Sequence, residues 1–391
     1  MTLSIREEEV VEVVSNLVAG QSYNPGSDEY DVATYFKNYM EAAGIPVEIV
    51  PIAERRFNVI ARLKGQGKAA PLSFSGHMDV VPVSETERVK WKTDPFVPTI
   101  IDGMLYGRGS ADMKGGLGAA MVALKAVKDS GVIPPGDVVV IGTVDEEAVM
   151  GGVKALTKCG LLDDIKDMVI CEPSDMKLYC CCRGRTWADI TFTGESGHAS
   201  IEGNGNNTIN HAATLIDAVN KRKFDFPPYE RLGNVFWQVT LINGGLEPAV
   251  VPDTCVVTVD ARLVPGATTD DIWQAMETLL AKLSADNPDF HAKMDIIERR
   301  EAWETDSSLP LVEMARCGFA NSGLPLDYGA AHYTTDGAYF GSVMGMNMVI
   351  IGPGDIVNAH RDNEFTPVEQ LTQAADVYYD MMVKNNLPLE G

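Results

Sequence analysis

The chain has 391 residues, 45% of them hydrophobic and 22% charged, the balance of a globular protein long enough for two domains. Its 55 acidic and 32 basic residues leave a net charge of −23, which repels phosphate backbones and excludes nucleic acid as a partner. No apolar run approaches the ~20 residues of a membrane span, which excludes a membrane partner, and residues 1–9 lack both the basic and the apolar region of a signal peptide.

Apolar residues at Val10, Val11, Val13, Val14, Leu17 and Val18 predict a helix over 6–19 with one buried face. Val32, Tyr35, Phe36, Tyr39 and Met40 predict a second over 30–43, stopped by Gly44. A strand over 58–63 and a turn over 65–70 follow. Four apolar strands then lead to polar residues. Residues 72–75 run into Gly76-His77-Met78-Asp79, residues 137–144 into Asp145-Glu146-Glu147, and residues 168–171 into Glu172-Pro173. Residues 347–351 are followed shortly by Asn358-Ala359-His360. Between the first two strands lies a glycine-rich loop, residues 106–116, with Asp112 in its middle and a helix-like run over 117–128 behind it. Strands alternating with helices predict an α/β fold with a mixed, largely parallel sheet flanked by helices. Ligands of such sheets bind outside the carboxyl ends of the strands, where these polar residues converge.

The middle of the chain reads differently. Strands over 187–193, 236–242, 254–263 and 292–297 alternate with helices over 208–220 and 269–284, an α+β block inserted into the α/β domain. Its boundaries fall near Arg183 and Glu298, so that 1–182 and 298–391 form one domain and 183–297 the other. Helices over 309–322 and 367–383 return to the main sheet. Seven cysteines, three of them consecutive at Cys180, Cys181 and Cys182, suit neither a disulfide framework nor a paired structural zinc site. They predict reduced thiols in a cytoplasmic protein.

Histidine and carboxylate donors without paired cysteines suit zinc, manganese or cobalt. His77 and His360 are the imidazole candidates; Asp112, Glu147 and Glu172 are the carboxylates. Asp79, two residues after His77, can receive the second ring N–H and fix the tautomer, although His77-x-Asp79 also reads as a capped turn. Of the adjacent pair Glu146-Glu147, one can bind metal while the other faces substrate as a general base; two solvated surface acids are the plainer alternative. The glycine-rich loop is not a dinucleotide fingerprint, since Asp112 follows where a third glycine is needed.

These blocks together resemble the M20 metallopeptidase family, which includes acetylornithine and succinyl-diaminopimelate deacylases, aminoacylases and glutamate carboxypeptidases. The match runs through Gly76-His77-Met78-Asp79-Val80-Val81-Pro82, Trp91-x-x-Asp94-Pro95-Phe96 and the loop from Gly107 to Gly116. It continues through Asp145-Glu146-Glu147, Glu172-Pro173 and Ala359-His360-Arg361-x-x-Glu364. The resemblance implies a zinc-peptidase-like catalytic domain carrying two divalent ions, zinc first and cobalt or manganese next. It implies that His77 and Glu172 hold one ion, Glu147 and His360 the other, and that Asp112 bridges them. It also implies that Asp79 orients His77 and that Glu146 is the general base for a shared water, which attacks an amide carbonyl. The inserted block resembles the family's lid and dimerisation domain, implying a homodimer. Gly197-His198-Ala199-Ser200 matches the histidine that stabilises the oxyanion. Asp260-Ala261-Arg262 matches the arginine that grips a substrate carboxylate.

Two substrate-pocket positions depart from the family pattern. Ala249 stands where many members carry asparagine, and the loop 331–337 is not glycine-rich; His332 and Thr335 are its candidate substrate contacts. Glu172, where dipeptidases and aminopeptidases tend to carry aspartate, favours the deacylase and carboxypeptidase side. The expected reaction is removal of an acyl group from an N-acyl amino acid, or of a C-terminal residue from a peptide-like amide. A dipeptidase, or a hydrolase of another small C–N substrate, is the alternative on the same site. His211 and His291 read as structural or surface residues.

Overall fold

A computed structural model describes residues 5–389, so the first four residues of the segment read as lacking a signal peptide lie outside the described range. The chain divides into two compact units. The first comprises residues 1–181, 304–331 and 335–391, the second residues 182–303 and 332–334.

The first unit is built on a nine-stranded sheet. Its four central strands, in spatial order Val138–Thr143, Leu72–His77, Asp167–Ile170 and Asn347–Ile350, are all parallel. They are buried along nearly their whole length, which is why they read as continuous apolar runs without alternation. Arg56–Leu63 and Val47–Ala53 extend one side antiparallel, and Leu178–Cys182 pairs antiparallel on the other. Val47–Ala53 escapes sequence reading because it is an edge strand containing Pro51, and its periodicity is weak.

The helix Lys114–Ser130 packs against Glu7–Ala19 and Val368–Val383. It starts three residues earlier than the apolar run predicts, so Gly115 and Gly116 belong to the helix and not to the loop. Tyr30–Ala42 ends as expected, with Gly44 at φ +68 and the Ile45 amide donating back to the Met40 carbonyl at 3.0 Å. A further three-stranded sheet joins Phe365–Pro367, Met104–Tyr106 and Thr99–Ile101. Its register sets Phe365 opposite Tyr106, which brings the segment after His360 alongside the start of the glycine-rich loop.

The second unit is a four-stranded antiparallel sheet in the order Phe236–Gly244, Thr254–Leu263, Gly184–Thr193, His291–Arg300. The helices Thr208–Lys221 and Thr269–Asp286 pack on it. Gly184–Thr193 buries every second residue, the period of a strand covered on one face. Thr269–Asp286 begins in a capping box formed by Thr268 and Asp271. The unit extends to residue 303, past the boundary expected before Glu298, because His291–Arg300 continues as an edge strand to its end. Among the described residues the seven cysteines form no disulfide. Among the described residues no helix is long and apolar enough to cross a membrane.

Candidate metal centre

The parallel strands of the first unit deliver the polar residues to one edge. His77 is the last residue of Leu72–His77 and lies in register with Thr143, after which the neighbouring strand turns into Asp145-Glu146-Glu147. Glu172 follows Asp167–Ile170 by two residues, and Asn347–Ile350 leads through the short turn Ile356–Asn358 to His360.

Asp112 sits between the two imidazoles. Its Oδ1 lies 3.0 Å from His77 Nε2 and its Oδ2 3.1 Å from His360 Nε2. Glu172 Oε1 is 3.7 Å from the same nitrogen of His77, and Glu147 Oε1 is 2.9 Å from that of His360. One carboxylate thus separates two imidazole–carboxylate pairs. His77, Asp112 and Glu147 each offer a ligand atom within 4.8 Å of the others.

The electrostatics favour a cation. Burial, then the charge of Asp112, raises the Glu147 carboxyl and pushes Glu172 well above the usual carboxylate range. Burial opposes protonation of the imidazoles, but bonding to Asp112 prevails. His77 rises well above an ordinary histidine, and His360, also bonded to Glu147, rises to about 11. Burial would raise Asp112 too, yet its two imidazole partners hold it well below the usual range. The crowding thus favours protons on the two imidazoles and on Glu147 and Glu172. A divalent ion meets the same demand, and the imidazole and carboxylate donors fit zinc, manganese or cobalt.

The surrounding scaffold holds these groups through backbone amides. His77 Nδ1 meets the backbone oxygen of Asp79 at 2.9 Å, whereas the Asp79 carboxylate is 3.6 Å away. The carbonyl, not the expected carboxylate, therefore receives the ring N–H. The carboxylate instead accepts the amides of Glu146 and Glu147, each at 3.1 Å. Glu364 serves the glycine-rich loop in the same way. Its Oε1 accepts the amides of Gly109, Ala111 and Asp112 at 2.9, 3.0 and 3.1 Å, and its Oε2 pairs with buried Arg108 at 2.7 Å. Arg108 also pairs with Glu87. Asp145 and His360 are left-handed, at φ +66 and +57, a conformation costly for side-chain-bearing residues and concentrated at functional sites.

Sequence reading names His77, Asp112, Glu147, Glu172, His360, Asp79 and Glu146, and the structure gathers all seven within the first unit. It misses Asn24, Glu29 and Arg56, which lie behind the Asp145 turn; no spacing marks a lone asparagine in a Pro/Gly connector. The remaining candidates lie apart from this cluster in sequence. Thr335 is buried, and its hydroxyl accepts the Gly337 amide at 3.1 Å in the turn into the helix Gly337–Met344. In the second unit His198 is exposed. Its Nδ1 accepts from the Ser200 amide at 3.3 Å, with the Ser200 hydroxyl at 2.8 Å, which leaves the proton on Nε2. Arg262 directs Nε and Nη2, one edge of its fork, at Asp260 at 2.9 and 3.0 Å. His211 is buried against Phe290, and His291 is exposed at a strand end.

The sequence pattern of peptidase family M20/M25/M40 matches residues 73–384. A probable succinyl-diaminopimelate desuccinylase of Staphylococcus aureus (strain MSSA476) is 27% identical, over 97% of this chain and 98% of its own. An N-formyl-4-amino-5-aminomethyl-2-methylpyrimidine deformylase of Bacillus subtilis is 26% identical, over 96% of this chain and 94% of its own. Among solved structures, a tripeptidase of Staphylococcus aureus superposes with a TM-score of 0.79 at 20% identity, covering 97% of this chain and 98% of that one.

Proposed function

The chain belongs to peptidase family M20/M25/M40 and is a metal-dependent hydrolase of small amides, and we propose that it removes the acyl group from an N-acyl amino acid. The observation that carries this reading is the Asp112 carboxylate set between two imidazole–carboxylate pairs. His77 and Glu172 would hold one divalent ion and Glu147 and His360 the other, with Asp112 shared; zinc is the proposed native ion. When bound, the ions polarise the amide carbonyl and acidify water. Glu146 takes a proton from the attacking water and returns it to the leaving amine. His198, with its proton on Nε2, donates to the developing oxyanion, and the open edge of Arg262 receives a substrate carboxylate.

Two relatives with deacylase names, a desuccinylase and a deformylase, support acyl removal over dipeptide cleavage. A homodimer through the second unit is proposed, supported by the edge strand Phe236–Gly244, which leaves Leu241 and Ile242 exposed. A cytoplasmic location is proposed from seven cysteines that form no disulfide among the described residues. The test is a screen of N-acetyl, N-succinyl and N-formyl amino acids and of dipeptides, each with zinc, cobalt or manganese. Amine release from acyl substrates is expected. Cleavage of dipeptides alone replaces the deacylase by a dipeptidase, and no hydrolysis with any metal refutes both.

A further inference from the structure

Behind the working glutamates lies a polar network that none of the functional roles uses. The amides of Glu146 and Glu147 hang on the Asp79 carboxylate. That carboxylate also accepts Asn24 Nδ2 at 3.3 Å. The same nitrogen donates to Asp145 Oδ1 at 2.6 Å, so one buried amide group spans two carboxylates. Asn24 Oδ1 accepts Arg56 Nη2 at 3.1 Å, and Arg56 Nη1 reaches Asp145 Oδ1 at 3.1 Å. Arg56 is held in turn by the Ser27 carbonyl at 3.0 Å and by an ion pair with Glu29 at 3.0 Å.

We propose that Asn24 and Arg56 are positioning residues for the turn that presents Glu146 and Glu147. The inference rests on the reading of those two glutamates as general base and metal ligand. The geometry explains why an asparagine is suited here. Asp79 and Asp145 carry like charges and bracket the turn from opposite ends. An amide NH2 offers two donors from one atom, and Asn24 uses them to hold both carboxylates. Its own place is fixed by backbone pairing around Asp79. The Asn24 amide donates to the Val80 carbonyl at 2.8 Å, the Val80 amide to the Ser22 carbonyl at 3.0 Å, and the Ser22 hydroxyl to the Met78 carbonyl at 2.7 Å. Arg56 then offsets the charge that Asn24 cannot. Its Nη1 holds Asp145 while its Nη2 holds Asn24; the left-handed backbone of Asp145 at φ +66 begins the turn, and Asp145 Oδ2 caps the Gly151 amide at 3.0 Å. Without this clamp the two carboxylates repel, Asp145 relaxes, and both glutamates shift together.

The test compares Asn24→Ala, Arg56→Ala and Arg56→Lys with the wild type and with Glu146→Gln. Three quantities are measured: melting temperature, affinity for each of two zinc ions by calorimetry, and kcat and KM on the best amide found. Folded Asn24→Ala should lose about 10–100-fold in kcat or in affinity for one of the two ions, the usual effect of displacing a group behind a metal ligand, with KM within about threefold. Added guanidinium ion should restore part of the kcat of Arg56→Ala, which a role in folding alone does not predict. Arg56→Lys keeps the charge but not the fork, and should be intermediate. Folded Asn24→Ala and Arg56→Lys with wild-type kcat and wild-type affinity for both ions overturn the proposal. If Asn24→Ala does not fold, the same result for Arg56→Lys alone overturns it. Turnover by Glu146→Gln overturns the functional reading instead, while the zinc affinities still test the clamp.

Discussion

Gly116→Ala adds one methyl group where the structure leaves no room. Gly116 lies in the first turn of Lys114–Ser130, three residues past Met113 and four past the Asp112 ligand position. A Cβ built there lies 1.9 Å from the carbonyl oxygen of Cys171, the residue before Glu172. An ordinary carbon–oxygen contact needs about 3.3 Å, so helix and strand must part by roughly 1.4 Å. The strand has little freedom to yield. The Cys171 amide donates to the Ser75 carbonyl at 2.9 Å, and the Ile351 amide to the Ile170 carbonyl at 3.1 Å. The helix must therefore move, and Asp112 with it. Overpacking costs about 1–3 kcal/mol, and a displacement of ~1 Å at reacting groups costs about 100-fold in rate. Gly318→Ala is the control: its Cβ lies 3.1 Å from Met381 Cγ and 3.3 Å from both the Val377 side chain and the Val377 carbonyl oxygen, a few tenths of an ångström inside ordinary contact, and alanine favours a helix. The assay is kcat, metal per chain and melting temperature for both variants. Gly116→Ala should lose about 100-fold in kcat or its full metal load, while Gly318→Ala stays near wild type. Gly116→Ala with kcat within about threefold, full metal and unchanged melting would refute the close-approach argument.

Metal loading should release protons, because bonding to Asp112 raises His77 and His360 well above an ordinary histidine and both must be neutral to ligate. Calorimetry of zinc binding in buffers of different ionisation enthalpy should report a net release of protons; buffer-independent heats would contradict this. Glu29 is fully buried, and burial together with the Asp79 charge, against Arg56, raises its carboxyl to about 7. A raised carboxyl contributes stability below its unfolded pKa and loses it as pH climbs through the folded one. About 2.5 units correspond to roughly 3 kcal/mol lost between pH 4.5 and 7. Urea unfolding of Glu29→Gln should lack that slope, and a pH-independent difference from wild type would remove the assignment. His198→Ala should fold normally yet be nearly inactive; mixing it with inactive Glu146→Ala should recover activity if the histidine acts across a dimer, and exchanged mixed dimers without recovery would refute that role.

The sheet was legible because its central strands are buried on both faces and therefore read as unbroken apolar runs. The site was legible because three of those runs lead directly into a histidine or an acid, and the fourth is followed shortly by His360. Val47–Ala53 was not, because it is an edge strand interrupted by Pro51, nor were the three short strands around Tyr106, whose three-residue length leaves no period to detect. The glycine-rich loop was legible as a place of close backbone approach, but not which partner each glycine meets. Gly109 needs its positive φ of +88, whereas Gly116 is fixed by the passing strand at Cys171. Asp79 shows the same boundary. Its spacing from His77 marked the pair, yet whether the ring met carbonyl or carboxylate depends on where the Glu146 and Glu147 amides arrive, 67 and 68 residues later.

That last point bears on the net charge of −23. A surface excess of acid makes copies of a chain repel one another, but several of these carboxylates are not at the surface. Asp79 takes two backbone amides, Glu364 three, and Asp145 one, and all three side chains are buried. A carboxylate is suited to this task because it accepts at both oxygens and strengthens each bond with its charge. Glu364 binds the Asp112 loop from four residues beyond His360, and its partner Arg108 donates to the Arg361 carbonyl at 3.3 Å. The two ends of the site are therefore held by one ion pair, between segments more than 250 residues apart in sequence. Acidic residues in this chain thus act in two layers. The inner layer is suited to binding cations, while the outer layer fixes the backbone that aims it. The outer layer is the one a motif search passes over, because its partners are amides that every residue but proline carries.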